Sequence, residues 1–324
     1  MAARRVLLAP DSFKGTFSAP AVAEAMAAGV GAVGVEADRC PVADGGEGTM
    51  EALLAARGGE RRQTVVSDPL GRPVDAEFAL LDDGELAVVE MARASGLHLV
   101  AEEERDAFEA STYGTGELIA AAADAGASSI LVAAGGSATS DGGAGAVDAL
   151  SEAGFRGRLT VICDVRTAWE DAPRVFGPQK GADPQTVRRL ERRMTRLARA
   201  APRDPRGVPM TGAAGGLAGG LWAHLDARLV PGAPYVLDAV GFDGAMWAAR
   251  FVVTGEGRLD EQTLAGKVVG EVATRCRQAG VACHAVVGQE VLDGFLERVI
   301  DLSTVTEAGT VRRLRAAGRR LAKL

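Results

Sequence analysis

The sequence predicts an α/β fold: a discontinuous parallel-sheet domain built from residues 1–72 and 251–324, with residues 73–250 inserted as a second α/β domain containing an antiparallel hairpin portion. Three observations carry this expectation. At both ends of the chain, short apolar runs alternate with stretches of helical periodicity, the mark of βαβ units. Between residues 62 and 91 the apolar runs are separated only by tight turns, and strands joined that way form hairpins. Apolar residues make up 47% of the chain but aromatics only 4%, so the core is packed from Ala, Val and Leu rather than from rings. A chain of 324 residues can bury two cores, and residues 1–72 alone make too small a sheet, which pairs them with the tail.

In order, Val6–Ala9 reads as a buried strand ending in Pro10-Asp11-Ser12-Phe13-Lys14-Gly15-Thr16. Ser18 then caps a helix that has Pro20 in its first turn and runs to about Val30. The stretch Gly29–Gly34 matches G-x-G-x-x-G letter for letter, but it follows a helix instead of a strand and is no dinucleotide fingerprint. A strand near Ala37–Val42 ends in Asp44-Gly45-Gly46-Glu47-Gly48-Thr49, which leads into a helix over Met50–Ala56. Arg62–Ser67, Pro73–Leu81 and Leu86–Met91 are the hairpin strands, and the change of texture puts a domain boundary near residue 72. Ser111-Thr112-Tyr113-Gly114-Thr115-Gly116 opens a helix over Glu117–Ala125. Leu159–Cys163 is a strand ending in Asp164, and a long basic helix runs from Asp183-Pro184 to about Ala200. A glycine-rich stretch over 212–220 leads into a helix ending near Leu225. The tail reads as strand Phe251–Thr254, helix Thr263–Gln278, strand Ala282–Val287, helix Leu292–Val299 and helix Ala308–Leu324.

The most informative stretch is Ile130–Leu150. Ile130–Ala134 is a buried strand, Gly135-Gly136-Ser137-Ala138-Thr139-Ser140-Asp141-Gly142-Gly143 is a loop, and Ala144–Leu150 is a helix capped by Asp141 or Ser140. Such a loop joins a strand's carboxyl end to a helix's amino end, where open α/β sheets bind ligands. Backbone N–H groups and the helix dipole there favour an anion such as phosphate. Asp141 adds a carboxylate, which suits a magnesium ion or a hydroxyl proton.

Several classes are excluded. A net charge of −7 argues against general nucleic-acid binding, which needs a basic surface. Cys40, Cys163, Cys276 and Cys283 lack C-x-x-C spacing and read as reduced core residues of a cytoplasmic protein. The apolar run before Asp11 is too short for a signal peptide, and no run approaches the roughly 20 residues of a membrane span. Gly266-Lys267 lacks the rest of a P-loop, and Thr139 breaks a G-x-S-x-G elbow around Ser137. His98, His224 and His284 are too scattered for a zinc site or a triad.

What remains is a recurrent pairing of carboxylates with glycine turns: Asp11 with Lys14, Asp44 with Glu47, Asp141, Asp164, and Glu256 with Asp260. Phosphoryl transfer uses such a set, because magnesium must be held, phosphates neutralised and a hydroxyl proton accepted. The arginines of 188–199 and 312–320 have no interleaved aromatics for base stacking and read as solvated helix faces.

At these motifs the chain resembles the type I glycerate kinase family. The matching stretches are Ala9–Thr16, Pro41–Thr49, Ser111–Ile119, Gly135–Ala146, Val175–Ala182, Gly212–Leu221 and Thr254–Lys267. The resemblance implies a Rossmann-like domain beside an unusual α/β domain, with the active site in the cleft between them, and transfer of the ATP γ-phosphate to D-glycerate with Mg2+. Against the family pattern, Arg166-Thr167-Ala168 replaces Asn-Pro-Leu, and the segments after Gly145, Asp164 and Gly288 are short. The expected catalytic residues are Lys14, Asp44, Asp141, Lys180 and Asp260, with Asp44 and Asp141 as metal ligands. Asp11, Ser12, Gly45, Gly46, Glu47, Gly135, Gly136, Ser137, Thr139, Gly142, Glu256 and Arg258 are expected to bind substrate or nucleotide. The expected partners are small molecules, with neither nucleic acid nor membrane, and a homodimer stays open as the assembly. The product is expected to be 2-phosphoglycerate. The alternatives are a 3-phosphoglycerate-forming kinase, a phosphatase or mutase with Asp11 as nucleophile, and a noncatalytic hydroxy-acid sensor.

Overall fold

A computed structural model of the chain describes residues 5–13, 15–259, 267–291 and 300–324. Two compact units are present. Unit 1 comprises residues 1–44, 51–56 and 233–324, and unit 2 comprises residues 45–50 and 57–232. The strands are β1 (Val6–Pro10), β2 (Ala37–Arg39), β3 (Glu60–Ser67), β4 (Pro73–Leu81), β5 (Leu86–Glu90), β6 (Ser129–Ala133), β7 (Arg158–Cys163), β8 (Arg228–Pro231), β9 (Phe251–Gly255), β10 (Arg258–Leu259), β11 (Cys283–Val287), β12 (Gln289–Glu290) and β13 (Thr304–Glu307). The helices are α1 (Ala19–Gly31), α2 (Thr49–Arg57), α3 (Ala92–Ser95), α4 (Tyr113–Asp124), α5 (Ala144–Glu152), α6 (Ala172–Phe176), α7 (Pro184–Ala200), α8 (Leu217–Leu225), α9 (Gly232–Ala239), α10 (Phe242–Ala248), α11 (Val268–Ala279) and α12 (Val311–Leu321).

The main sheet of unit 1 runs β2-β1-β9-β11-β13, and every neighbouring pair is parallel. Numbered by entry into this sheet, the order is 2-1-3-4-5, so the winding reverses between β1 and β9. Successive β1 residues alternate between two cores. Leu7 and Ala9 pack with Val269, Val272 and Cys276 of α11, while Val6 and Leu8 pack with Val22 and Met26 of α1 and Leu314 of α12. Burial on both faces is why β1, like β9 and β11, reads as an apolar run.

The sheet of unit 2 follows chain order, β3-β4-β5-β6-β7-β8. It is antiparallel through β5 and parallel from β5 to β8. Helices α4, α5 and α8 bury Leu118, Ile119, Ala146, Leu150, Leu217 and Leu221 against one face.

The α/β class and the hairpin portion agree with the sequence reading, but the boundaries differ. A cut near residue 72 would split the β3–β4 hairpin, in which Ser67 pairs with Pro73. Residues 233–250 join unit 1 because Phe242 and Met246 pack with Val252 and Val268. The strands β8 and β13 went unread, since both are short, half-exposed and lack an apolar run. The strand expected over Ala37–Val42 is limited to Ala37–Arg39. The expected helix Leu292–Val299 and the opening turn of the expected helix Thr263–Gln278 lie outside the described residues. Among the described residues, no helix is long and apolar enough to cross a membrane.

The G-x-G-x-x-G string ends α1 and serves helix packing. A Cβ on Gly29 would stand 2.1 Å from the Arg315 carbonyl oxygen of α12, whereas Gly31 faces open space. We therefore expect Gly29→Ala to lower the unfolding free energy by about 1–3 kcal/mol through overpacking. Gly31→Ala should be neutral or stabilising by up to about 1 kcal/mol, and paired urea titrations would check both.

Candidate active site

In unit 1, a cleft of about 390 Å³ opens at the carboxyl ends of the parallel strands, across the switch between β1 and β9. Asp11 and Ser12 enter from the end of β1, Asp44 from the segment after β2, Glu256 and Arg258 from the end of β9, and Lys267 from the start of α11. Asp11, Asp44 and Glu256 are all buried, at 5%, 4% and 6% exposure. Asp11 Oδ1 accepts a hydrogen bond from the Ser12 N–H at 2.6 Å, and Glu256 pairs with Lys267 at 3.6 Å. Lys267 also stands at the cap of α11, so that helix presents its amino end beside the ammonium. Among the described residues no group of three or more His, Cys, Asp or Glu side chains is placed to hold a metal ion. Lys14 and Asp260, two of the expected catalytic residues, lie outside the described residues.

Unit 2 brings the two glycine turns together. A Cβ on Gly135 would stand 2.6 Å from the Gly46 Cα, and one on Gly136 would stand 2.5 Å from Glu47 Oε1. Gly45 lies against Ile162, and Gly142 against the Trp169 ring. Lys180 is 1% exposed and donates to Ser137 Oγ at 2.7 Å and to the Thr139 carbonyl at 2.6 Å. Burial pushes the Lys180 ammonium down to about 7, while the carboxylates of Asp141 and Asp164 oppose that shift.

Asp141 is bonded to groups within unit 2. Its Oδ2 accepts from the Thr112 N–H at 2.9 Å, the Thr112 hydroxyl at 2.7 Å and the Gly145 N–H at 3.2 Å, and its Oδ1 accepts from the Gly143 N–H at 3.0 Å. Four donors fill the acceptor positions of a carboxylate. This residue therefore ties the starts of α4 and α5 together. The N-cap of α5 is Gly143 rather than the expected Asp141 or Ser140, and Asp141 reaches the first turn only through the Gly145 N–H.

Sequence reasoning missed Glu90. It ends β5, is 2% exposed, and accepts from the Gly48 N–H at 2.8 Å and the Met50 N–H at 3.0 Å, with Arg93 at 3.1 Å. These two N–H groups at the start of α2 are thus bound to a resident carboxylate. The readable signal was an acid closing an otherwise apolar strand, Leu86–Glu90. Lys267 was also passed over, because its surroundings fail the P-loop pattern.

His284 packs edge-on against Phe251 at 5.1 Å, and all four cysteines are free and buried.

The parallel sheet of unit 1 and the mixed sheet of unit 2, with their flanking helices, place the chain in the α/β class, and comparison with known proteins narrows this. The profile of the Glycerate kinase family matches residues 6–156 and 152–307. The glycerate 2-kinase of Escherichia coli (strain K12) is 36% identical over 353 residues, covering 94% of this chain and 93% of that protein. The glycerate kinase of Halalkalibacterium halodurans is 40% identical over 322 residues, covering 87% and 85%. A solved structure assigned as a glycerate kinase 2 of Salmonella typhimurium LT2 matches with a TM-score of 0.83 at 34% identity, covering 99% of this chain and 98% of that one. The chain belongs to the glycerate kinase family.

Two outcomes follow from this geometry. Asp141→Asn turns an N–H2 toward backbone donors and should lower stability by about 1–3 kcal/mol, read as a lower urea midpoint. Lys180 has a folded-state pKa of about 7, below its ordinary 10.5. Between those values the unfolded chain holds a proton that the folded chain lacks, so stability rises with pH across that window. The stability difference between wild type and Lys180→Met should therefore move in favour of wild type from pH 7 to pH 10, and a flat difference would contradict the shift.

Proposed function

We propose that this protein is an ATP-dependent glycerate kinase that transfers the γ-phosphate to D-glycerate and forms 2-phosphoglycerate. The supporting observation is the carboxylate-lined cleft at the strand ends of unit 1, in a chain that the glycerate kinase profile matches from residue 6 to residue 307. The name of the Escherichia coli relative supports the 2-position. We read the 2-1-3-4-5 sheet as a Rossmann-like nucleotide fold divided between the two ends of the chain.

In this reading Arg258, Lys267 and the amino end of α11 neutralise nucleotide phosphates. Magnesium fits the donor set, because it commonly takes one or two carboxylates and draws its remaining ligands from phosphates and water. Asp44, with Asp11, would hold it, and the bound ion would supply charge neutralisation on the transferring phosphoryl group. A glycerate hydroxyl oxygen bonds to the γ-phosphorus as the bond from that phosphorus to the bridging oxygen breaks. ADP leaves, and the hydroxyl proton passes to a carboxylate.

Phosphorus NMR of a mixture of the protein, ATP, Mg2+ and D-glycerate should show ADP and 2-phosphoglycerate. A 3-phosphoglycerate signal would overturn the regiochemistry, and no consumption of ATP would overturn the activity. Asp44→Asn should lower kcat by about 10²- to 10⁴-fold.

A further inference from the structure

Unit 2 contains an open pocket of about 200 Å³ whose walls include Gly136, Ser137, Asp164, Phe176 and Gln179. This is smaller than the roughly 300–1,000 Å³ of sites for drug-sized ligands, so a compact molecule fits it. Ser137 is 8% exposed, and its Oγ accepts the hydrogen bond from the Lys180 Nζ. In its charged form, which the carboxylates of Asp141 and Asp164 favour, Lys180 only donates, and the hydroxyl hydrogen of Ser137 is then available to a further acceptor. No other hydrogen bond of the Ser137 hydroxyl is present among the described residues. A cation one bond behind that hydroxyl strengthens it as a donor and favours a negatively charged acceptor. Asp164, on the same pocket, accepts hydrogen bonds from hydroxyls and disfavours a second anion near it. The Gln179 amide can donate and accept. The pocket thus presents one anion-seeking donor and two groups that bind hydroxyls, the pattern of a small hydroxy acid.

We propose that this pocket is the acceptor subsite, in which the Ser137 hydroxyl, backed by Lys180, holds the carboxylate of the hydroxy acid while Asp164 and Gln179 hold its hydroxyls. The assignment rests on the glycerate kinase reading and adds to it which residues recognise the acceptor. Lys180 acts through Ser137 and is a positioning residue. An anion at the Ser137 hydroxyl also favours the charged form of Lys180, alongside the two neighbouring carboxylates.

The test is steady-state kinetics with Mg-ATP and D-glycerate. Ser137→Ala should raise the KM for D-glycerate about 10- to 100-fold, the range expected for one charge-assisted hydrogen bond, and leave the KM for ATP within about twofold. Ser137→Thr, which keeps the hydroxyl, should stay within about threefold of wild type for both substrates. An unchanged KM for D-glycerate in Ser137→Ala, or an equal rise in both KM values, would overturn the proposal. Gln179→Ala leaves the Lys180–Ser137 bond intact and should also raise the KM for D-glycerate, and if Ser137→Ala fails to fold, an unchanged value in Gln179→Ala overturns the assignment. A wild-type protein that does not turn over D-glycerate would count against the kinase reading alone. Calorimetric titration of D-glycerate would still read the pocket, since binding lost in Ser137→Ala supports it and no binding to wild type overturns it.

Discussion

A charge taken out of water must be met by dipoles and hydrogen bonds, and unit 2 is organised around three such charges. Glu90, Asp141 and Lys180 are each at most 2% exposed. Each meets the requirement with groups from remote segments. Glu90 reaches back to the N–H groups of Gly48 and Met50, Asp141 gathers Thr112 with the start of α5, and Lys180 crosses to Ser137 and Thr139. Removing one partner strands a buried charge, which is why these contacts fix loops that propensity alone would leave loose. The glycines of the 45–48 and 135–143 turns then let the backbones approach until no Cβ fits between them.

Unit 1 reaches a comparable result by another route. Its loops are placed by a parallel sheet whose central strands β1, β9 and β11 are buried on both faces, so their carboxyl ends are fixed by packing. Buried carboxylates gather where those ends converge, and the cations there, Arg258 and Lys267, are the less buried groups. A cleft with more exposed cations favours ligands that bring several negative charges of their own.

The strand–loop–helix units were legible in the sequence because each is local. Val6–Pro10, Ser129–Ala133 and Phe251–Gly255 are apolar runs broken by acidic or glycine-rich turns, and they are strands. The partition between units was not legible. Residues 45–50 leave unit 1 for unit 2 and residues 233–250 do the reverse, and both choices depend on contacts made far along the chain. The same holds for Asp141, whose partner Thr112 is 29 positions away, and for Glu90, whose partners lie 40 and 42 positions away. A carboxylate beside glycines announces a site, but whether it faces a ligand or a backbone amide is decided by segments that local patterns do not reach.

The placement of Lys180 shows what such a tertiary decision does for recognition. An exposed lysine is a point charge on a flexible stem and binds a phosphate as readily as a carboxylate. Buried and bound to Ser137, the same ammonium acts through a single hydroxyl of fixed position. One directed O–H satisfies a small carboxylate better than a multiply charged phosphate, which needs several donors or a metal. In the proposed subsite, burying the cation therefore tunes the pocket of unit 2 toward a single small carboxylate.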